Sequence, residues 1–231
     1  MARSRQAGFT LIELLVAMAL LGFMMLIVWS TTSGAIFAHR SVGKNQERDH
    51  EIRVSLNRIV RDLSSAYLSA NEQASGLEPR TRLVGKDQGD IHELVFSSMA
   101  HTVLWGDANE SEQTVISYLP EADPDNRSTT NVVRHELRRP PNDTRQKEVP
   151  EIDILVRDVK KLSFEYYDWR EKTWQTTWDT SQADGERGRL PSRIRVTLEI
   201  DEAGEDGRKR TVKYQTQARL MLQEELKFFT N

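Results

Sequence analysis

Glu13 is the side chain whose chemistry most needs explaining. It stands in a run from Phe9 to Trp29 where only Thr10, Glu13 and Gly22 fall outside the apolar set. Inside a membrane-spanning helix a carboxylate costs about 2.5–3.5 kcal/mol on insertion scales, and such groups usually have a partner. A cut after Gly8 would supply one. Phe9 would become the first residue, its free amine one helical turn from Glu13, at the end of the helix where the dipole also favours an anion. Between molecules staggered along an axis, the carboxylate of one could meet the amine of the next. An awkward charge then becomes a device for assembly.

Catalytic signatures are missing. The sequence holds no G-x-S-x-G, H-E-x-x-H, phosphate-binding loop or dinucleotide fingerprint. Its lack of cysteine excludes disulfides, thiol catalysis and cysteine-ligated metal. The histidines, His39, His50, His92, His101 and His135, show no pair at ligand spacing on one helix face and read as surface or hydrogen-bonded groups. Asp123-Pro124-Asp125-Asn126 and the turn from Asp201 to Asp206 offer oxygen ligands to calcium. Neither has the spacing of a calcium loop, and acidic residues are ordinary turn formers. Trp169, Trp174 and Trp178 lie near Tyr166 and Tyr167, where they could line a ligand cleft or partner surface, although core and hairpin packing is the commoner use. With a net charge of −3, interspersed signs and a pI near 6, no nucleic-acid footprint stands out. The expectation is a non-enzyme with no cofactor, no metal site and no nucleic-acid partner.

The elements that position these groups follow from hydropathy. Residues 9–29 form a transmembrane helix, since about 20 residues at ~1.5 Å each span a hydrocarbon core of ~30 Å. Secretory h-regions are shorter, at ~7–15 residues. Arg3 and Arg5 hold the amino end in the cytoplasm. Leu14, Leu15, Ala17, Met18, Leu21 and Gly22 are the candidate packing positions within the membrane. With no proline before Pro79, the helix continues past the bilayer over residues 30–70, finishing near Leu68–Ala70 before the loop NEQASGLEPR. Along it Ile52, Leu56, Ile59, Leu63 and Tyr67 make an apolar stripe that packs onto the protein's own sheet. Arg53, Asn57, Arg58, Arg61 and Asp62 fall elsewhere around the wheel.

From residue 71 to 231 the pattern becomes short β segments. Leu94-Val95-Phe96, Val103-Leu104-Trp105, Val115-Ile116-Ser117-Tyr118 and Val132 to Leu137 read as strands. Ile152 to Val159 is helix or strand. Leu162, Phe164 and Tyr166 alternate, as do Ile194, Val196, Leu198 and Ile200. DEAGEDGRKR closes a hairpin onto Val212, Tyr214, Thr216, Ala218 and Leu220. The fold class is α+β, a long N-terminal helix packed on an antiparallel head of two sheets, without βαβ alternation.

Gly8-Phe9-Thr10-Leu11-Ile12-Glu13 followed by an apolar run resembles the signal of type IV pilins and pseudopilins. Gln6-Ala7 stand where a basic residue often precedes the glycine. The resemblance implies a pilin-like fold and removal of residues 1–8 by a prepilin peptidase. It also implies N-methylation of Phe9 and a role in assembly for Glu13. LNRIVRDLSSAY, VPEIDILVRDVKKLSFEYYD leading to Trp174 and Trp178, and LPSRIRVTLEI resemble the minor pseudopilin J family of type II secretion systems. That likeness implies an inner-membrane protein with a periplasmic head, at the pseudopilus tip once assembled. Its implied partners are minor pseudopilins of the I and K types, the major pseudopilin, the peptidase, the inner-membrane assembly platform and membrane lipid. Its implied role is to start pseudopilus assembly and support export of folded proteins. A minor pilin of a type IV pilus or DNA-uptake machine is the alternative within the superfamily. From another class, the alternative is a membrane-tethered periplasmic enzyme or carbohydrate-binding module using the tryptophan region.

Overall fold

A computed structural model describes residues 10–70, 81–102, 112–138, 149–182, 185–203 and 208–227, without the side chains of 33–46 and 203. The leader with Gly8 and Phe9, the Val103-Leu104-Trp105 segment and the loop NEQASGLEPR lie outside these residues. The chain divides into two units, Met1–Asp49 and His50–Asn231. The helix α1 (Leu11–Ser64) begins in the first and ends in the second.

In the first unit, Leu11–Thr32 is long and apolar enough to cross a membrane, with a mean hydropathy of 2.7. Each large apolar side chain from Leu11 to Trp29 is at least half exposed. At the polar end of this segment the helix absorbs its own hydroxyls. Ser30 and Thr31 donate to the Ile27 carbonyl, at 3.0 and 2.6 Å, and Thr32 donates to that of Val28 at 2.8 Å. Such back-bonding satisfies hydroxyls where water is scarce.

The second unit packs the last turns of α1 with two sheets. β1 (Leu83–Lys86), β2 (Glu93–Ser98), β3 (Thr114–Ala122), β4 (Thr130–Leu137), β5 (Glu151–Val156) and β8 (Trp178–Asp179) form a six-stranded sheet. Its order is β5-β4-β3-β2-β1-β8. β6 (Val159–Asp168), β7 (Thr173–Gln175), β9 (Arg193–Ala203) and β10 (Lys209–Arg219) form the other, in the order β10-β9-β6-β7. All these strand pairings are antiparallel. Ile52, Leu56, Ile59 and Leu63 are buried in one core with Leu94, Phe96 and Tyr118 of one sheet and Leu162, Phe164 and Val196 of the other. Alternation explains the assignment: in β6 the apolar Leu162, Phe164 and Tyr166 are buried while Ser163, Glu165 and Tyr167 are partly exposed.

Two expectations change. The helix ends at Ser64, not near Leu68–Ala70. Its last carbonyls are taken by tertiary partners: the Ser98 hydroxyl donates to that of Asp62 at 2.8 Å and the Met221 N–H to that of Ser64 at 3.2 Å. Residues beyond run extended, with the Tyr67 N–H donating to the Ser97 carbonyl at 3.1 Å. Tyr67 is buried as the stripe requires, but from this extended segment. Second, the ambiguous stretch Ile152 to Val159 is two strand pieces in different sheets. The chain crosses between them through Arg157 and Asp158, the latter at φ 48°. Aspartate tolerates this left-handed conformation better than a branched residue, and the Asp158 N–H donates to Asn131 Oδ1 at 3.1 Å.

Candidate functional site

The start of α1 is a capping box, Thr10-Leu11-Ile12-Glu13. Thr10 stands at the N-cap. Its backbone N–H and its hydroxyl each donate to Glu13 Oε2 at 3.1 Å, and the Glu13 N–H faces the Thr10 hydroxyl at 3.4 Å. These bonds fall on one carboxylate oxygen, so Oε1 has no hydrogen-bond partner among the described residues. The carboxylate therefore satisfies an orphan donor of its own helix and still offers an acceptor to a second group. The spacing Thr-x-x-Glu signals this capping role, whereas the sequence expectation named the Phe9 amine, of the same or a neighbouring molecule, as the partner.

Leu14, Leu15, Met18, Leu21 and Gly22 recur at helical spacing, with Ala17 beside them, so they share one broad face of α1. Among the described residues none of the large ones is covered. A Cβ added at Gly22 would meet nothing within 4 Å, so this glycine leaves room for a neighbour without being required by the chain itself.

Within the second unit the chemistry concentrates on a buried ionic network that sequence reasoning missed. Asp62, expected on the polar side of the wheel, is buried, as are Arg134 and Glu136 on β4. Arg134 Nε donates to Asp62 Oδ2 at 2.7 Å and its Nη1 to Glu136 Oε2 at 2.5 Å. The Tyr118 hydroxyl donates to the same Asp62 oxygen at 2.8 Å, and His101 Nδ1 meets Glu136 Oε1 at 2.8 Å. Burial works against the charged form of Arg134, but Asp62 and Glu136 outweigh it and hold the guanidinium above its ordinary pKa. For Glu136 burial alone would raise the carboxyl; Arg134 and His101 reverse that and lower it. Burial, reinforced by Asp62, pushes the Tyr118 phenol well up. The network fastens α1 to β3 and β4. It is an anchor.

The remaining candidates resolve into separate places. His92 meets Asp87 at 2.9 Å and His135 meets Glu121 at 2.8 Å, so His92, His101 and His135 each face a different carboxylate. His50 is exposed and the His39 side chain lies outside the described residues. Asp123 holds its own turn: Oδ1 accepts from the N–H groups of Asp125 and Asn126, and Oδ2 from the Asn131 amide at 2.9 Å. The Asn131 bond leads the effects lowering its pKa. Asp201 accepts from Thr211 at 2.6 Å and from Lys160 at 3.4 Å. The aromatic cluster splits by strand alternation. Tyr166 and Trp178 face inward, fully buried, with ring centres 6.3 Å apart; Tyr167 and Trp174 pair on the other face at 5.1 Å.

The family described as "Type II secretion system (T2SS), protein J" matches residues 30–209, and the prokaryotic N-terminal methylation motif matches residues 3–29. No curated protein sequence matches the chain. Among solved structures, a chain of the GspK-GspI-GspJ complex from the enterotoxigenic Escherichia coli type 2 secretion system aligns with a TM-score of 0.45 and 14% identity, over 72% of this chain and 96% of that one. A type IV-like pilin from Thermus thermophilus aligns with a TM-score of 0.47 and 10% identity, over 74% of this chain and 96% of that one.

Proposed function

Because the chain belongs to the protein J family of type II secretion systems, we propose that it is a membrane-anchored minor pseudopilin of the pseudopilus tip, a structural subunit rather than an enzyme. Family membership over residues 30–209 is the observation that carries this reading, and it favours a secretion pseudopilin over a pilus or DNA-uptake subunit. The methylation motif over residues 3–29 supports the companion steps at the amino end. There the prepilin peptidase cuts between Gly8 and Phe9, and Phe9 is N-methylated. The apolar segment stays in the inner membrane with its amino end toward the cytoplasm, while the second unit stands in the periplasm.

In this reading the subunit joins minor pseudopilins of the I and K types, starts the filament on the assembly platform, and is followed by the major pseudopilin. Lipid tails give helices little hydrophobic reason to associate, so packing and polar contacts carry the drive. Leu14, Leu15, Ala17, Met18, Leu21 and Gly22 supply the packing face. The free Oε1 of Glu13 supplies an acceptor for a neighbour's amine. Two measurements on the protein from native membranes test the proposal. The first is the mass of its amino-terminal peptide, expected to begin with a methylated Phe9; retention of residues 1–8 would overturn the processing. The second is copurification with I- and K-type subunits after mild cross-linking, whose absence would overturn the tip assignment.

A further inference from the structure

Beyond the sheet core lies a recess of about 500 Å³ between the β6–β7 turn, the start of β9 and the segment following β10. Tyr167 and Trp169 form aromatic walls, and Lys172, Arg193 and Arg219 line it with three cations. The other lining residues, Ser192 and Gln223, are neutral. None of the three cations has an ion pair among the described residues. Elsewhere in the unit several arginines are neutralised. Around the smaller cleft of about 370 Å³ beside the α1 anchor, Arg58 pairs with Asp153, Arg138 with Glu151 and Arg134 with Asp62. On β9 itself, Arg195 has Glu165 at 3.0 Å, while Arg193, two residues earlier, has the Tyr167 ring beneath its guanidinium at 4.5 Å and no carboxylate among the described residues.

The same turn carries a donor without a partner. Trp169 Nε1 is buried yet has no hydrogen-bond partner among the described residues. A buried donor left unpaired is destabilising, and native structures seldom keep one without a reason. The turn that carries it is firmly held: buried Asp168 accepts from the Arg170 N–H at 2.9 Å and from Arg189 Nη1 at 2.7 Å. Lys172 closes the same turn at φ 58°, a conformation uncommon for a side chain of this kind.

We propose that this recess binds carboxylate groups of an acidic segment of a partner protein. Guanidinium forks match carboxylates in a bidentate manner. The volume falls in the range of organic-ligand pockets, about 300–1,000 Å³, and far exceeds a lone inorganic anion, so the charge arrives on a larger carrier. Aromatic walls suit the methylene stems of glutamate, and the Gln223 amide, which makes no hydrogen bond among the described residues, offers both a donor and an acceptor to a peptide backbone. The inference goes beyond assembly through the membrane segment and does not depend on leader cleavage.

The test uses the full chain in uncharged detergent and a dye-labelled hexaglutamate peptide with both ends blocked, titrated by fluorescence anisotropy. Saturable binding is expected, with blocked hexalysine inert. R193Q and R219Q should each weaken it on the order of tenfold, as loss of a charge-assisted hydrogen bond implies. Trp169→Ala, which removes one aromatic wall, should weaken it severalfold. Lys213→Gln, an exposed cation on β10 outside the recess, should leave it unchanged. Absence of saturable binding overturns the proposal, and so does an equal loss from Lys213→Gln. Inorganic phosphate binding the recess as tightly as the peptide overturns the carboxylate assignment.

Discussion

At the residue scale, Glu13 joins an observed capping role to the proposed charge pairing, and different substitutions separate the two. Glutamine at N3 can still reach back to the N-cap N–H, as in other capping boxes, but carries no charge. Glu13→Gln is therefore expected to keep the helix start and lose incorporation into the tip complex, whereas Glu13→Ala loses both; neither should block leader processing. Equal recovery of the complex from membranes carrying Glu13→Gln and unaltered protein would overturn the charge-pairing role. Arg134 is the corresponding residue of the second unit. Replacing it by methionine strands two buried carboxylates, Asp62 and Glu136, and breaking such pairs costs about 3–5 kcal/mol. Chemical unfolding of the full chain in detergent, followed by tryptophan fluorescence, checks that magnitude. The same network sets an acid limit. The Glu136 carboxyl is held below its ordinary value, so its contribution is present above the unfolded pKa and is lost as pH falls through the folded one. The midpoint of unfolding should therefore drop on acidification below the ordinary carboxylate range, and Glu136→Gln should flatten that dependence.

Elements obey sequence periodicity until tertiary partners intervene. The stripe Ile52, Leu56, Ile59 and Leu63 is legible because a 3.6-residue period makes it so, and the strands of β6, β9 and β10 are legible because theirs is two. The position of the helix end is not, since it depends on hydrogen bonds from Ser98 and Met221, residues remote in the chain. Short strands are hardest: β1, β7 and β8 carry too few residues for a pattern. Gly85 on β1 shows what such a strand contributes. A Cβ there would clash with the Tyr166 hydroxyl of the other sheet, so glycine permits the close approach of the two layers. Because Tyr166 is buried and has little room to yield, Gly85→Ala is expected to destabilise the unit by about 1–3 kcal/mol, the range for overpacked cores. A thermal or denaturant midpoint equal to that of the unaltered protein would contradict this reading.

For the whole molecule, the prediction concerns processing. Removal of residues 1–8 leaves 223 of the 231 residues, beginning at Phe9. Gly8→Val should block the cut, and intact mass should then retain the leader; a protein of mature mass from that variant would refute the assigned site. By itself the sequence determined the apolar segment, the anomalous carboxylate, the α+β class and the resemblance to protein J. Each of these is carried by local composition or by a period along the chain. Only the tertiary structure decided that Asp62 is buried against Arg134, that the chain changes sheets at Asp158, and that the aromatic residues part to opposite faces. It alone gathered Lys172, Arg193 and Arg219, which have no ion pair among the described residues, around one recess. Those facts depend on groups brought together from distant positions, and no local pattern encodes which charge will find a partner and which will be left without one.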